Sequence, residues 1–250
     1  MRTWRFSEVG FSVLWKERTG DRLPAPFLYT STAATQREYR EEQEETRNRV
    51  RANTDHEVIQ IVDVVSSPDL YLTVRGGDQS DPASLIRLRA SRKGGRGYLI
   101  TQLPGESIYH RGGYTVTECD PLRLADAVVA ALPEAEPGRR GDLGVVASDG
   151  YVDGSYRSPI ASAGNSPSVL RGPATIAGTI DVRQGSSVFG PRGIVHHTVR
   201  WRDLAEDGRY VVAGSPAAAM AVDSKRFVGI LNSQIAKVIA AIKEERERSY

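Results

Sequence analysis

The order of elements is told twice along this chain, and that doubling constrains the fold more than any single motif. The first telling runs through a β-rich stretch, Arg96-Gly97, a second stretch, a glycine turn at Gly112-Gly113, a third stretch, Asp120 and a helical pattern. The second telling places Arg192-Gly193, Gly214-Ser215 and Asp223 in the same order. Short β-preferring runs joined by glycine turns form hairpins, and hairpins make antiparallel sheet. The spacing is too long for a solenoid of small repeats. The expectation is a single domain over residues 1–250, with pseudo-repeats at roughly 1–133 and 174–250 joined by a Pro/Gly/Ser-rich segment. Each half contributes strands to one antiparallel sheet and a helix that follows its aspartate cap.

Local signals fill in the order. Ser7 caps a first helix whose Phe11, Leu14 and Trp15 share a face, and Gly20 ends it. Pro24 and Pro26 hold the next segment extended. From about Ala33 to Arg51, the pairs Arg37/Glu41, Arg40/Glu44 and Glu45/Arg49 are four apart and opposite in sign, the mark of a solvated surface helix. Asp55 caps a shorter helix through Val58, Ile61, Val62 and Val65. Strands follow at 70–74, 85–89 and 97–101, the last two a hairpin around Lys93-Gly94-Gly95. A second hairpin is expected between Ile108-Tyr109 and residues 114–117. Asp120-Pro121 reads as a cap with proline at the first helical position, ahead of Leu124, Val128 and Leu132.

Residues 133–173 are rich in Pro, Gly, Ser and Arg, with one strand candidate at 143–147. The stretch 150–173 carries few apolar groups to offset its ordering entropy and reads as a mobile connector. Strands resume at 175–183, 194–201, 210–213 and 219–222. Asp223 then caps a long helix with Phe227, Leu231, Ile235, Val238 and Ile242 along one face.

Composition excludes several classes. With 33 basic and 31 acidic residues the net charge is +2, which argues against a dedicated nucleic-acid binder or a polybasic membrane-surface protein. Cys119 is alone, so it forms neither an internal disulfide nor a cysteine zinc site. The start of the chain shows no apolar signal region, and no apolar run is long enough to span a bilayer. The expectation is a cytoplasmic resident.

Catalytic signatures are missing at the level of motifs. Gly95-Arg96-Gly97 lacks the third glycine and the helix of a dinucleotide fingerprint. No serine stands in a nucleophile elbow. His196 and His197 are neighbours in a strand, so their side chains point to opposite faces and do not share a metal. Glutamate pairs such as Glu41/Glu42 lie among arginines on a solvated helix, far from the apolar pocket that an acid/base dyad needs. The reading is a non-enzymatic protein without cofactor or metal. An enzyme with an unrecognised site stands against it, revived only by a convergent polar pocket.

Several segments, in order, resemble the EspG family of type VII (ESX) secretion chaperones. Phe189-Gly190, Trp201 and the turn Asp207-Gly208-Arg209-Tyr210, followed by a hairpin and a helix from Asp223, are similar to that family's second half. Val13-Leu14-Trp15 with Leu23-Pro24, the strand 70–74, Gly95-Arg96-Gly97-Tyr98-Leu99 and the helix from Pro121 to Pro133 are similar to its first. The resemblance implies an α+β fold: a central, predominantly antiparallel sheet flanked by helical bundles, in two quasi-symmetric halves. It implies a cytosolic adaptor that binds the tip of a secreted PE–PPE heterodimer, keeps it soluble and delivers it to the ESX machinery. It leaves room for a homodimer and implies neither nucleic-acid binding nor membrane insertion. Family contacts map onto the loop Gly76, Gly77, Asp78, Gln79, Ser80 and Asp81, and onto the helix after Asp223, whose apolar stripe is expected to leave Lys225, Arg226, Asn232, Gln234 and Lys237 on the exposed edge for the client. A scaffold of the same fold with another client is the alternative.

Overall fold

The computed structural model of the protein describes residues 1–78, 80–107, 109–110, 112–145, 173–214 and 217–248. The expected mobile connector at 150–173 lies outside the described residues, apart from Pro173. Among the described residues, ten strands form one sheet. They are β1 (Thr3–Phe6), β2 (Leu70–Gly77), β3 (Ile86–Lys93), β4 (Arg96–Gln102), β5 (Tyr114–Cys119), β6 (Gly144–Val145), β7 (Ala174–Gln184), β8 (His196–Leu204), β9 (Gly208–Ala213) and β10 (Ala218–Ala221). The helices are α1 (Glu8–Thr19), α2 (Gln36–Asn53), α3 (His56–Ser66), α4 (Leu124–Ala130) and α5 (Ser224–Arg248).

The strand order is β1-β5-β4-β3-β2-β7-β8-β9-β10-β6, with every neighbouring pair antiparallel. Read outward from the central β2–β7 pair, the order is the same in both directions. β2 answers β7, β3 answers β8, β4 answers β9, β5 answers β10 and β1 answers β6. The quasi-symmetric halves expected from the sequence are therefore present, and the β4–β5 and β9–β10 connections correspond as expected, but one equivalence shifts by a strand. Arg96-Gly97 corresponds to the β8–β9 turn, not to Arg192-Gly193. The latter pair closes a short 3-10 turn from Pro191 to Gly193. Its counterpart is the 3-10 turn from Pro82 to Ser84 between β2 and β3.

Local chemistry explains the helix boundaries. The Ser7 hydroxyl accepts from the Gly10 amide at 3.1 Å, and Gly20 closes α1 in the left-handed region at φ 76°. Thr35 and Glu38 form a reciprocal capping box at the start of α2. Asp55 caps α3 through the Val58 amide at 2.8 Å, and Asp223 caps α5 through the Arg226 amide at 2.7 Å. Asp120 does not cap α4. Its carboxylate accepts from the Leu122 amide and its carbonyl from the Arg123 amide, which makes a turn and delays the helix to Leu124. The hairpin expected around Gly112-Gly113 is also different. Strand β5 pairs with β4 across the long connection 103–113, and with β1, an edge strand the sequence reading had not placed.

The period-2 alternation of the strands sorts side chains into two layers. On one face, Leu70, Leu72, Val74, Leu88, Leu99, Ile180, Val182, Val199, Trp201 and Val211 meet α4 and α5. On the other face, Tyr98, Ile100, Tyr114 and Val116 meet Phe11, Leu14 and Trp15 of α1 and Ile61, Val62 and Val65 of α3. α2 lies outside α1, tied to it by Glu17, which receives Arg47 at 2.9 Å and Arg51 at 2.6 Å. That exposed, ion-paired position is what its charge pattern predicts.

Candidate partner-binding surface

The loop 76–81 grows out of the end of β2, and its glycines serve packing first. The Trp201 indole packs against Gly76 and Gly178, and a methyl on Gly76 would stand 2.6 Å from its ring. Gly77 takes φ 118° with Ser84 against its α-carbon, where no side chain fits. Beyond them the loop binds itself. The Asp78 amide donates to Ser84 Oγ at 2.8 Å, and the Asp78 carboxylate receives both the Ser80 amide at 2.9 Å and its hydroxyl at 2.7 Å. Those two donors hold the Asp78 carboxyl below the usual carboxylate range. Asp81 caps the 3-10 turn through the Ala83 amide at 2.9 Å. Gln79 lies outside the described residues.

On α5, Phe227, Leu231, Ile235 and Val238 are buried against the sheet, and Ile242 is half-buried. Each fully buried side chain of this kind contributes about 1.5–3 kcal/mol, so this stripe belongs to the core. Gln234 departs from the expected exposed edge. It follows Leu231 by three residues and precedes Val238 by four, so the helical period turns it inward, where it is 6% exposed. Its Oε1 accepts from Lys237 Nζ at 3.3 Å. Lys225, Arg226, Asn232 and Lys237 are exposed. Arg226 is not idle there: its guanidinium grips Asp142 with two bonds, at 2.7 and 2.6 Å, and donates to the Ala221 carbonyl at 2.8 Å. Arg226 thereby holds the Asp142 carboxyl below its usual range. Asp142, in a segment the sequence reading left uninterpreted, is thus a fastener between the connector and α5.

The register fixes how far these pieces stand apart. Gly77 pairs with Ala177, Ala177 with Arg202, Arg202 with Tyr210 and Tyr210 with Ala221. The loop and the start of α5 therefore share one end of the sheet, separated by four strand spacings, about 19 Å. Between them lies the β8–β9 turn. There Arg209 and Asp203, both almost wholly buried, form a two-pronged ion pair with both contacts at 2.6 Å, and Arg209 also donates to the Pro133 carbonyl at 2.8 Å. Asp207 accepts from the Tyr210 hydroxyl and the Arg139 amide. A shallow cleft of about 280 Å³ opens beside this turn, lined by Glu134, Glu136, Asp203, Glu206 and Asp207. Asp203 and Asp207 are committed to those structural bonds.

Among the described residues, no group of three or more His, Cys, Asp or Glu side chains is placed to hold a metal. His196 is exposed and His197 half-buried, on opposite faces as a strand requires. Burial first, then the Lys237 charge, pushes the His197 imidazole below its usual range. Cys119 is buried, and burial pushes its thiol up to about 11. Among the described residues, no helix is long and apolar enough to cross a membrane.

The EspG family profile matches residues 7–226, most of the chain. The chain belongs to the EspG family. No curated protein matches it. A solved structure from Mycobacterium tuberculosis, the type VII secretion system chaperone EspG5 in complex with the PE25-PPE41 dimer, shares the fold. Its TM-score is 0.62 at 13% sequence identity, over 95% of this chain and 96% of that one. The mirrored antiparallel sheet with its flanking helices is thus the EspG fold. The Asp207-Gly208-Arg209-Tyr210 turn, which resembles the family's, supplies Arg209 to the buried ion pair with Asp203 and the Tyr210 hydroxyl to Asp207.

Proposed function

We propose that this protein is a cytosolic type VII (ESX) secretion chaperone that binds a PE–PPE-type heterodimer, keeps it soluble and hands it to the secretion machinery. The observation that carries the reading is the end-to-end likeness to EspG5, a chaperone of the same family solved with a PE–PPE dimer bound. The tip of such a client is apolar, and covering it suppresses aggregation. The protein works by binding, as an adaptor without catalysis. Its client surface joins the loop 76–81 to the exposed side of α5 at Lys225, Arg226, Asn232 and Lys237. Gln234 serves from behind by fixing Lys237. The 19 Å between the two pieces is within one protein interface of standard size, about 800 Å² per partner. The continuous sheet supports a single domain over the whole chain. The proposal leaves a homodimer open to measurement by light scattering.

The test is co-expression with a PE–PPE pair followed by size exclusion. Wild type is expected to co-elute with the pair. Shortening the loop, or combining Lys225→Ala, Arg226→Ala and Lys237→Ala, is expected to reduce co-elution while leaving the fold intact. Arg226→Ala also removes an exposed ion pair, which costs at most about 1 kcal/mol. A wild-type protein that binds no PE–PPE pair refutes the chaperone reading. Full binding by every folded variant moves the surface elsewhere.

A further inference from the structure

The sheet is mirrored about its central pair, so the β2–β3 connection, which carries the loop 76–81, has a counterpart between β7 and β8. The register puts that counterpart at the other end of the sheet. Gly77 pairs with Ala177 at one end and Leu70 with Gln184 at the other, seven residues or about 23 Å away. Two side chains project from it, Val188 at 65% and Phe189 at 61% exposed. Single exposed apolar residues are ordinary. Among the described residues, though, these are the only two large exposed apolar side chains that are adjacent in the chain. Phe189-Gly190 is part of the likeness to the EspG family, yet neither the core nor the proposed client surface uses Phe189.

The loop under these two side chains is held in place. Glu245, near the end of α5, receives the Ser187 hydroxyl at 2.8 Å, the Gln184 side-chain amide at 3.0 Å and the Val188 amide at 3.3 Å. The Ser187 hydroxyl accepts from the Phe189 amide at 3.1 Å, and the Ser187 carbonyl from the Gly190 amide at 3.0 Å. Gly190 takes φ 72°, which only glycine adopts freely, and leads the chain into the 3-10 turn. One carboxylate with three donors thus fixes the backbone on which Val188 and Phe189 stand. Cations flank this knob. Arg192, three residues past Phe189, and Lys243 and Arg246, on either side of Glu245, are exposed, and among the described residues none of the three is paired. Of the neighbouring acids, Glu245 is committed to the loop and Glu244 stands 4.0 Å from Arg248, which leaves Glu247 against three cations.

We infer that this knob is the protein's docking surface for the ESX machinery, and that its receptor is an apolar pocket with a carboxylate rim on a cytosolic domain of that machinery. The inference rests on the chaperone reading above. A carrier that hands over its cargo needs a contact that stays free while the cargo is bound. The knob meets that need, since the loop 76–81 and the start of α5 lie at the opposite end of the sheet. Protein interfaces centre on a few anchors, enriched in aromatic side chains and arginine, that fill pockets on the partner. Fixing the loop beforehand removes an ordering cost that a flexible loop meets on binding. The flanking cations select a rim of opposite charge. A lipid surface fits less well. It is held by a long amphipathic face or a cluster of about four to eight basic residues, and the knob offers two apolar side chains and three cations.

The probes are the purified soluble cytosolic domains of the ESX machinery, each offered separately to the full chain already bound to a PE–PPE pair. Biolayer interferometry is expected to show one domain binding the wild-type complex. Val188→Ser/Phe189→Ser, folded by circular dichroism and still co-eluting with the PE–PPE pair, should bind that domain at least tenfold more weakly. Glu245→Ala keeps both apolar side chains but frees the loop, and should weaken binding several-fold. Arg192→Glu should weaken it at low salt, by a factor that narrows as salt rises. A wild type that binds no PE–PPE pair refutes the chaperone reading itself, and is seen before any domain is added. With the pair bound, four results overturn the inference alone: no domain binds the wild-type complex; the double variant binds as well as wild type; the double variant loses the PE–PPE pair; or the knob instead holds wild type to phosphatidylglycerol vesicles or to a second copy of the chain.

Discussion

Removing the Arg209 guanidinium tests how the β8–β9 turn is held. The side chains of Arg209 and Asp203 are 3% and 8% exposed, and two contacts of 2.6 Å join them. Arg209→Met keeps the volume of the stem but leaves a carboxylate buried without its partner. It also frees the Pro133 carbonyl, which Arg209 binds at 2.8 Å. Breaking one side of a buried pair costs about 3–5 kcal/mol, because the remaining charge stays desolvated. Against a typical total of 5–15 kcal/mol, that loss is large. For a chain of this size it lowers Tm by roughly 6–20 °C, at about 2–4 °C per kcal/mol. The double variant Arg209→Met/Asp203→Leu removes the stranded charge as well. It is expected to recover most of the loss and come within about 2 kcal/mol of wild type, since apolar replacement of a buried pair is often near neutral. Guanidinium unfolding of wild type, both single variants and the double variant gives the coupling energy directly. A coupling below about 1 kcal/mol, with the double variant as unstable as Arg209→Met, refutes the account of this pair as a charge-compensated buried unit.

Burial and ion pairing elsewhere in the fold give three further expected outcomes. Gly178→Ala puts a methyl into both the Trp201 indole and the Arg75 carbonyl, so it should cost at least the 1–3 kcal/mol of an overpacked core; wild-type stability in chemical denaturation would refute this. Cys119, buried with its thiol pushed up to about 11, should be silent to a thiol reagent at pH 8 in the folded protein and react once in denaturant, because only the thiolate attacks; rapid labelling of the native state contradicts the burial. Arg226 lowers the Asp142 carboxyl, so their pair adds stability that is complete above the carboxyl's unfolded range and fades as pH falls below about 4; Asp142→Asn should flatten that acid limb, by less than about 1 kcal/mol for so exposed a pair, and an unchanged acid limb would sink the assignment.

Much of this protein is written in local signals, and those were legible. Ser7, Asp55 and Asp223 each announce a helix, because a cap is a bond between neighbours three residues apart. The stripe of Phe227, Leu231, Ile235 and Val238 is core as its period requires. The charge pairs of α2 leave it on the surface. The doubled order of elements foretold two halves around one antiparallel sheet, and the EspG likeness rests on that order.

Where the chain itself could not decide, the deciding contact is distant. Asp120 and Asp223 look alike in sequence, yet Asp120 closes a turn and Asp223 starts a helix. The counterpart of Arg96-Gly97 shifted by one strand because the β2–β7 pairing, which sets the symmetry, joins segments about a hundred residues apart. β1 is four residues long and becomes a strand only because β5 offers it an edge. Gly76 looks like loop chemistry until Trp201, from another strand, packs against it. Glu245 reads as one more charge in a solvated tail, yet Gln184, Ser187 and Val188 close on its carboxylate. A cap or a helical stripe depends on bonds the chain makes with its near neighbours. A contact between distant segments depends on which strands meet, and only the closing of the whole sheet against its helices settles that.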